Sequence, residues 1–125
     1  MSIFLNPIEP PKSIKGWINN EENHGSGIEI PVFYPATGEQ VSILVEDAAE
    51  DVNKAVISAR RAFDATSWSK QSVEKRVEIL EKCREVILDN LDELACLECL
   101  ATGLILREIK GFHLQRAAYN FRFFK

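Results

Sequence analysis

Every proline in this chain falls in its first part, at Pro7, Pro10, Pro11, Pro31 and Pro35, and residues 47–125 contain none. A proline inside a helix removes a hydrogen bond and clashes with the preceding turn. The long proline-free tract can therefore be helical almost throughout, while the first part cannot. Gly16, Gly25, Gly27 and Gly38 also lie in that first part. The partition predicts strands and turns followed by helices, an α+β arrangement.

Within the first part, Trp17 and Ile18 make a short apolar run. Asn23 to Gly27 reads as a turn, because Asn and Gly tolerate positive φ. Ile28 to Tyr34 has strand character, with Pro31 arguing for an edge position or a bend. Pro35-Ala36-Thr37-Gly38 is a tight turn, with Pro setting φ and Gly supplying the left-handed position. Gln40 to Val45 resumes as a strand rich in β-branched residues. Two strands cannot hold together alone in water, so these must pack on the helices that follow or on something outside the chain.

The first helix is expected to start near Asp47, with Asp47 and Glu50 arranged as a capping box. Val52, Ala55, Val56, Ala59, Ala62 and Phe63 then form one apolar stripe at helical spacing. Thr66 to Ser69 breaks it. A second helix is predicted from Ser72 to Asn90, burying Val73, Val77, Leu80 and Ile87. Its Glu and Lys residues form a solvated face. A third, Leu91 to Ala101, places Leu94, Leu97 and Leu100 inside and ends at Thr102-Gly103 as its C-cap. A fourth runs from Arg107 to the end and carries Phe112, Tyr119, Phe121, Phe123 and Phe124. So many rings near a terminus imply a partner surface, which predicts self-association, or association with a full-length relative, through residues 112–124.

At 125 residues the chain suits one domain. Its net charge of −4 argues against a nucleic-acid or anionic-membrane partner, either of which favours a basic face. The N-terminus has no basic region of the signal-peptide kind. The most apolar stretch, Leu94 to Leu106, contains Glu98 and falls well short of the roughly 20 residues a membrane helix needs. Cys83, Cys96 and Cys99 form no disulfide framework and read as reduced thiols. The expectation is a soluble protein of the cytoplasm.

Few residues invite chemistry. Cys96 and Cys99 have C-x-x-C spacing, but they fall mid-helix, without the strand and helix N-terminus of a redox pair or the four ligands of a structural zinc. His24 lies in a turn and His113 on the last helix, neither with a partnered acid or nucleophile. Gly25-x-Gly27 lacks the third glycine and the context of a nucleotide loop. The aromatic end with Arg116 and Arg122 reads as helix packing rather than nucleic-acid stacking. No catalytic, cofactor-binding or metal-ligating residue is assigned.

Several runs, in order, resemble the start of an aldehyde dehydrogenase. Trp17-Ile18-Asn19-Asn20 is similar to the family's W-I-N-G, and Tyr34-Pro35-Ala36-Thr37-Gly38-Glu39 to N-P-A-T-G-E. Asp51-Val52-Asn53-Lys54-Ala55-Val56 resembles D-V-D-x-A-V, with Ala59-Arg60-Arg61-Ala62-Phe63 for A-R-x-A-F. Trp68-Ser69 and Arg76 fit the W-S and the arginine of the next helix. Asp92-Glu93-Leu94-Ala95 with Glu98 fits D-E-L-A-x-L-E, and Thr102-Gly103 the T-G beyond it. The run Leu114 to Phe124 looks most like the hydroxymuconic semialdehyde dehydrogenase branch.

The resemblance implies an α/β family whose members oxidise aldehydes to acids with NAD or NADP, through a cysteine thiolate, a hydride transfer and a glutamate-activated water. In the family those groups and the cofactor loop lie beyond the matched region, and none of Cys83, Cys96 or Cys99 matches the catalytic cysteine. The chain alone is therefore expected to be α+β, without the Rossmann-like sheet and without bound cofactor. Residues 1–14 would be an extension and 15–125 the N-terminal part of a truncated cofactor-binding domain, inactive by itself. An alternative is a helical interaction module that binds a full-length relative or a separately encoded remainder. Within the match, Tyr34 replaces an asparagine, Cys99 a threonine, Ala101 an aspartate, Leu104 a lysine and Ile105 a proline.

Overall fold

A computed structural model describes residues 8–65 and 68–123 of the chain. The sequence expectations for Thr66, Ser67, Phe124 and Lys125 fall outside these residues. The fold is α+β, as the proline partition predicts, and it divides into two compact units.

One unit holds Pro11–Phe33 and Gln40–Gln71. Its three-stranded sheet has the order β1 (Ser13–Ile14), β5 (Gln40–Val45), β4 (Glu29–Phe33). β1 runs parallel to β5, and β4 runs antiparallel to it with an irregularity between Val32 and Phe33. Pro31 thus sits on an edge strand, where its missing N–H costs least. The Ser42 hydroxyl donates to the Pro11 carbonyl at 2.6 Å. Residues Pro11 to Ile14, expected as part of an extension, are thereby tied to the sheet.

A separate hairpin pairs β2 (Gly16–Ile18) with β3 (Glu21–Asn23). Its two turn residues, Asn19 and Asn20, have φ of 55° and 63°. Positive φ at both central positions is the type I′ requirement, and asparagine meets it more readily than most residues.

Helix α1 spans Ala49–Ala65, so it starts later than the Asp47 expectation. The Ala48 carbonyl accepts the first helical hydrogen bonds, from Asp51 and Val52. Its N–H donates to Asp51 Oδ2 at 3.2 Å. The back-reaching half of a capping box is therefore present one residue later than expected, with Asp51 at its third position. Asp47 instead accepts from Asn23 Nδ2 at 2.7 Å.

The apolar stripe on α1 is not covered. Val52, Val56 and Phe63 are 53%, 60% and 68% exposed. Among the described residues of this unit the only buried side chains are polar, Ser42 and Asp51.

The second unit contains Tyr34–Glu39 and the helices from Ser72 on. Tyr34–Glu39 closes as the expected turn: Gly38 has φ +74° and donates to the Tyr34 carbonyl at 2.8 Å. Helix α2 is Val73–Asp89, and its N-cap Ser72 Oγ accepts from the Lys75 N–H. Helix α3 is Leu91–Thr102 and ends at Gly103, φ +73°, whose N–H bonds the Cys99 carbonyl at 2.8 Å. A Cβ on Gly103 would lie 3.1 Å from Pro35, so this cap also lets the turn approach.

The last helical stretch is continuous from Leu106 to Phe123 but does not keep one period. A short α4 (Leu106–Glu108) passes into a π-helical turn, Ile109–His113, and then α5 (Leu114–Phe123). The core gathers here: Ala95, Cys99 and Ile109 are buried, with Leu106 and Leu114 packed on them. Leu94, Leu97 and Leu100, the expected inward positions of α3, are only half-buried. The buried positions of that helix are Ala95, Cys96 and Cys99. Small side chains occupy them where the last helical stretch comes close.

Candidate functional site

Three places gather polar or reactive side chains. The first is the turn at Gly25-Ser26-Gly27. Gly25 has φ +70°, and a Cβ there would sit 2.8 Å from the Glu46 carbonyl. At Gly27 the same oxygen would be 2.6 Å away. The Gly27 N–H donates to that oxygen at 2.8 Å, and the Glu46 N–H to the Ile28 carbonyl at 2.9 Å. This close approach delivers the Ser26 hydroxyl as a donor to Asp51 Oδ2.

Asp51 is only 2% exposed, yet it stays ionised. The Ser26 hydroxyl holds its carboxyl below the ordinary 3.8, against the opposing effect of burial, and the Ala48 N–H and the Lys54 ammonium (3.4 Å) add to this. Oδ2 therefore ties the turn to the start of α1, and Oδ1 meets Lys54 on the same helix. The role is structural.

Asp51 is not alone in this behaviour. The carboxyls of Glu22 and Glu78 are held low by hydrogen bonds from Lys15 and Lys75. A depressed folded value contributes stability that is present above the unfolded value and lost as pH falls through the folded one. Urea midpoints are accordingly expected to fall as pH drops below about 4.5. In Asp51→Asn the pH dependence should flatten over that range, and an unchanged slope would remove Asp51 from this account.

The second place is the set of thiols. Cys96 and Cys99 lie on one face of α3, each 7% exposed, and Cys83 on α2 is half-buried. Burial pushes the Cys96 thiol up, and Asp92 and Cys99 push the same way. A nucleophilic cysteine needs the opposite, an electropositive and accessible setting. Asp92, which lies near it, is itself paired with Lys110. His24 and His113 are exposed, and His113 meets Phe112 edge-on at 5.5 Å. Among the described residues, no group of His, Cys, Asp and Glu could hold a metal ion.

The third consists of two concave surfaces, one in each unit. In the strand-bearing unit a depression of about 370 Å³ is lined by Asn19, Glu21, Glu22, Lys54, Ser58, Arg61 and their neighbours, with both charge signs interspersed. In the helical unit a groove of about 400 Å³ is lined by Arg84, Leu88, Gly111, Phe112, Gln115, Arg116, Ala118, Tyr119 and Arg122, with no carboxylate among them. Sequence reading named Phe112, Tyr119, Arg116 and Arg122 but did not bring Arg84 to them. Helical spacing of positions 112, 116 and 119 marks one face of the last helix. Arg84 comes from the packing of α2 beside α5.

The model of the aldehyde dehydrogenase family matches residues 21–125. Human retinal dehydrogenase 2 is 35% identical over 129 residues, covering 98% of this chain and 25% of that protein. The 5-carboxymethyl-2-hydroxymuconate semialdehyde dehydrogenase of Escherichia coli is 29% identical over 113 residues, covering 90% and 24%. A solved aldehyde dehydrogenase from Bacillus cereus superposes with a TM-score of 0.83 at 28% identity, covering 89% of this chain and 23% of that one. Betaine aldehyde dehydrogenase from Staphylococcus aureus, solved in complex with NAD+, gives 0.80 at 26% identity, covering 86% and 22%.

The chain belongs to the aldehyde dehydrogenase family, a family of oxidoreductases. It spans about a quarter of the length of the curated relatives it matches. Relatives from several branches match comparably, so the hydroxymuconic semialdehyde branch is not singled out. No helix among the described residues is long and apolar enough to cross a membrane.

Proposed function

We propose that this chain corresponds to the N-terminal part of an aldehyde dehydrogenase cofactor-binding domain and does not oxidise aldehydes by itself. The observation that carries the reading is the family match over residues 21–125 in a chain spanning about a quarter of its relatives. The state of the thiols supports it, since Cys96 and Cys99 are buried and the Cys96 thiol is pushed away from the thiolate form. In this reading the complete enzyme chemistry, NAD(P)-dependent conversion of an aldehyde to an acid, needs groups from outside the matched region. The run Leu114 to Phe124 supports an aldehyde of the hydroxymuconic semialdehyde type for that enzyme. Free cysteines support a reducing, cytoplasmic setting.

The test is an assay of the purified chain with NAD and NADP against aliphatic and aromatic aldehydes, followed at the reduced nicotinamide absorbance. No turnover is expected, and no rise in melting temperature with either cofactor, because a ligand stabilises only a state it binds. Cofactor-dependent turnover, or clear stabilisation by NAD, would refute the reading.

A second reading has an observation of its own. Phe112, Tyr119 and Phe123 are 59%, 55% and 66% exposed on one helical stretch. Such a surface fits an association face over residues 112–123, for a second polypeptide such as a full-length relative or a separately encoded remainder.

A further inference from the structure

We propose that the groove of the helical unit, where α2 packs beside α5, docks an acidic segment of a partner polypeptide that also carries an aromatic or aliphatic anchor. The inference rests on the association face just described and names the chemistry of its occupant. Three guanidiniums, from Arg84, Arg116 and Arg122, line the groove and no carboxylate does. Arg84 is held by Glu81 at 2.6 Å. Arg116 and Arg122 take part in no ion pair among the described residues. In a chain of net charge −4 this is a local reversal of sign, and a concave surface concentrates such a potential.

Guanidinium forks match carboxylates in paired hydrogen bonds. The exposed rings of Phe112 and Tyr119 line the same groove, and Tyr119 is 6.5 Å from Phe123 centre to centre. Arginine and tyrosine are among the residue types that dominate binding energy at protein interfaces. A second copy docking by two-fold symmetry would set this groove against itself, guanidinium facing guanidinium, and like charges in register oppose docking. The occupant is therefore complementary in charge and different in sequence.

The test uses the full chain and a fluorescein-labelled peptide alternating glutamate with phenylalanine, followed by anisotropy. Controls are the same peptide with lysine for glutamate, and a labelled single-stranded oligonucleotide. The glutamate peptide is expected to bind at least about tenfold more tightly than the lysine peptide and to weaken with added salt. Arg116→Gln with Arg122→Gln should abolish that preference, while Arg116→Lys with Arg122→Lys, which keeps the charge and loses the paired hydrogen bonds, should retain only part of it. Circular dichroism confirms that each variant folds as the parent does. Equal binding of both peptides, lost on Phe112→Ser with Tyr119→Ser, overturns the charge assignment and leaves an uncharged association face. Binding of neither peptide overturns both, and tighter binding of the oligonucleotide overturns the choice of partner.

Discussion

Replacing Ile109 by alanine is expected to unfold the helical unit at temperatures where the parent chain is still folded. Ile109 is wholly buried and is the largest side chain so enclosed among the described residues. It packs with Ala95 and Cys99 of α3, and Leu106 and Leu114 close over the cluster. Truncating a buried isoleucine removes apolar transfer energy and leaves a cavity, together about 2–5 kcal/mol. A domain of ordinary stability has only about 5–15 kcal/mol to lose, and a core this small belongs at the low end. Alanine is also a better helix former than isoleucine, so the loss would report packing alone. Ile109→Val should cost only about 1 kcal/mol. Thermal melts by circular dichroism, with hydrogen exchange read at the α3 amides, give the answer. A melt within about 2 °C of the parent for Ile109→Ala would show that this cluster is not what holds the helices.

The second large effect is expected at Gly27. Its Cβ position lies 2.6 Å from the Glu46 carbonyl oxygen and 3.0 Å from its carbon, both main-chain atoms that cannot swing aside. Alanine there must push the turn off β5, lengthening the Gly27 N–H bond to Glu46 and taking the Ser26 hydroxyl from Asp51. That leaves a buried carboxylate with fewer donors, one of the few mechanisms that give unusually large losses, about 3 kcal/mol or more. Gly38 is the control. It has φ +74° but nothing within 4 Å of its Cβ position, so Gly38→Ala should cost only the left-handed strain, about 1–2 kcal/mol. Faster hydrogen exchange in β5 and the first turn of α1 for Gly27→Ala, but not for Gly38→Ala, is the expected pattern. Equal exchange in the two variants would contradict it.

Local chemistry was legible wherever one residue decides the backbone. Gly103 as the α3 cap, Pro35 to Gly38 as a turn and Ser72 at the start of α2 are all where the sequence points. Each acts on atoms within a few residues of itself. The start of α1 was less legible because its cap depends on Asp51 meeting Ser26, a residue far back in the chain. The Asn19-Asn20 turn carried a readable signal that the apolar run beside it hid. Asparagine in both positions between short strands is a type I′ pattern in its own right. The stripe on α1 is legible at helical spacing, but periodicity marks a face without saying what covers it. The inward face of α3 is not legible from hydrophobicity, by which Leu94, Leu97 and Leu100 look like core. Close approach of the last helical stretch instead favours the smaller Ala95 and Cys99. The groove needed α2 and α5 side by side, which no spacing within either helix encodes. The π turn at Ile109–His113 had no sequence signal that distinguishes it from α-helix.

The turn Tyr34–Glu39 keeps company with helices made much later in the chain. Pro35 stands against Gly103, about half the chain length away. On a ribosome, β4 and β5 can pair as soon as Val45 has emerged, whereas the turn between them must wait for the end of α3. For that interval the hairpin would carry an unfinished corner beside the edge that β4 presents in any case. Distant contacts of this kind form late because loop closure precedes any reward, and unpaired strand edges are the surfaces on which nascent chains aggregate. Slower synthesis or a lower growth temperature should therefore raise the soluble yield by acting on the order of events and not on the final stability.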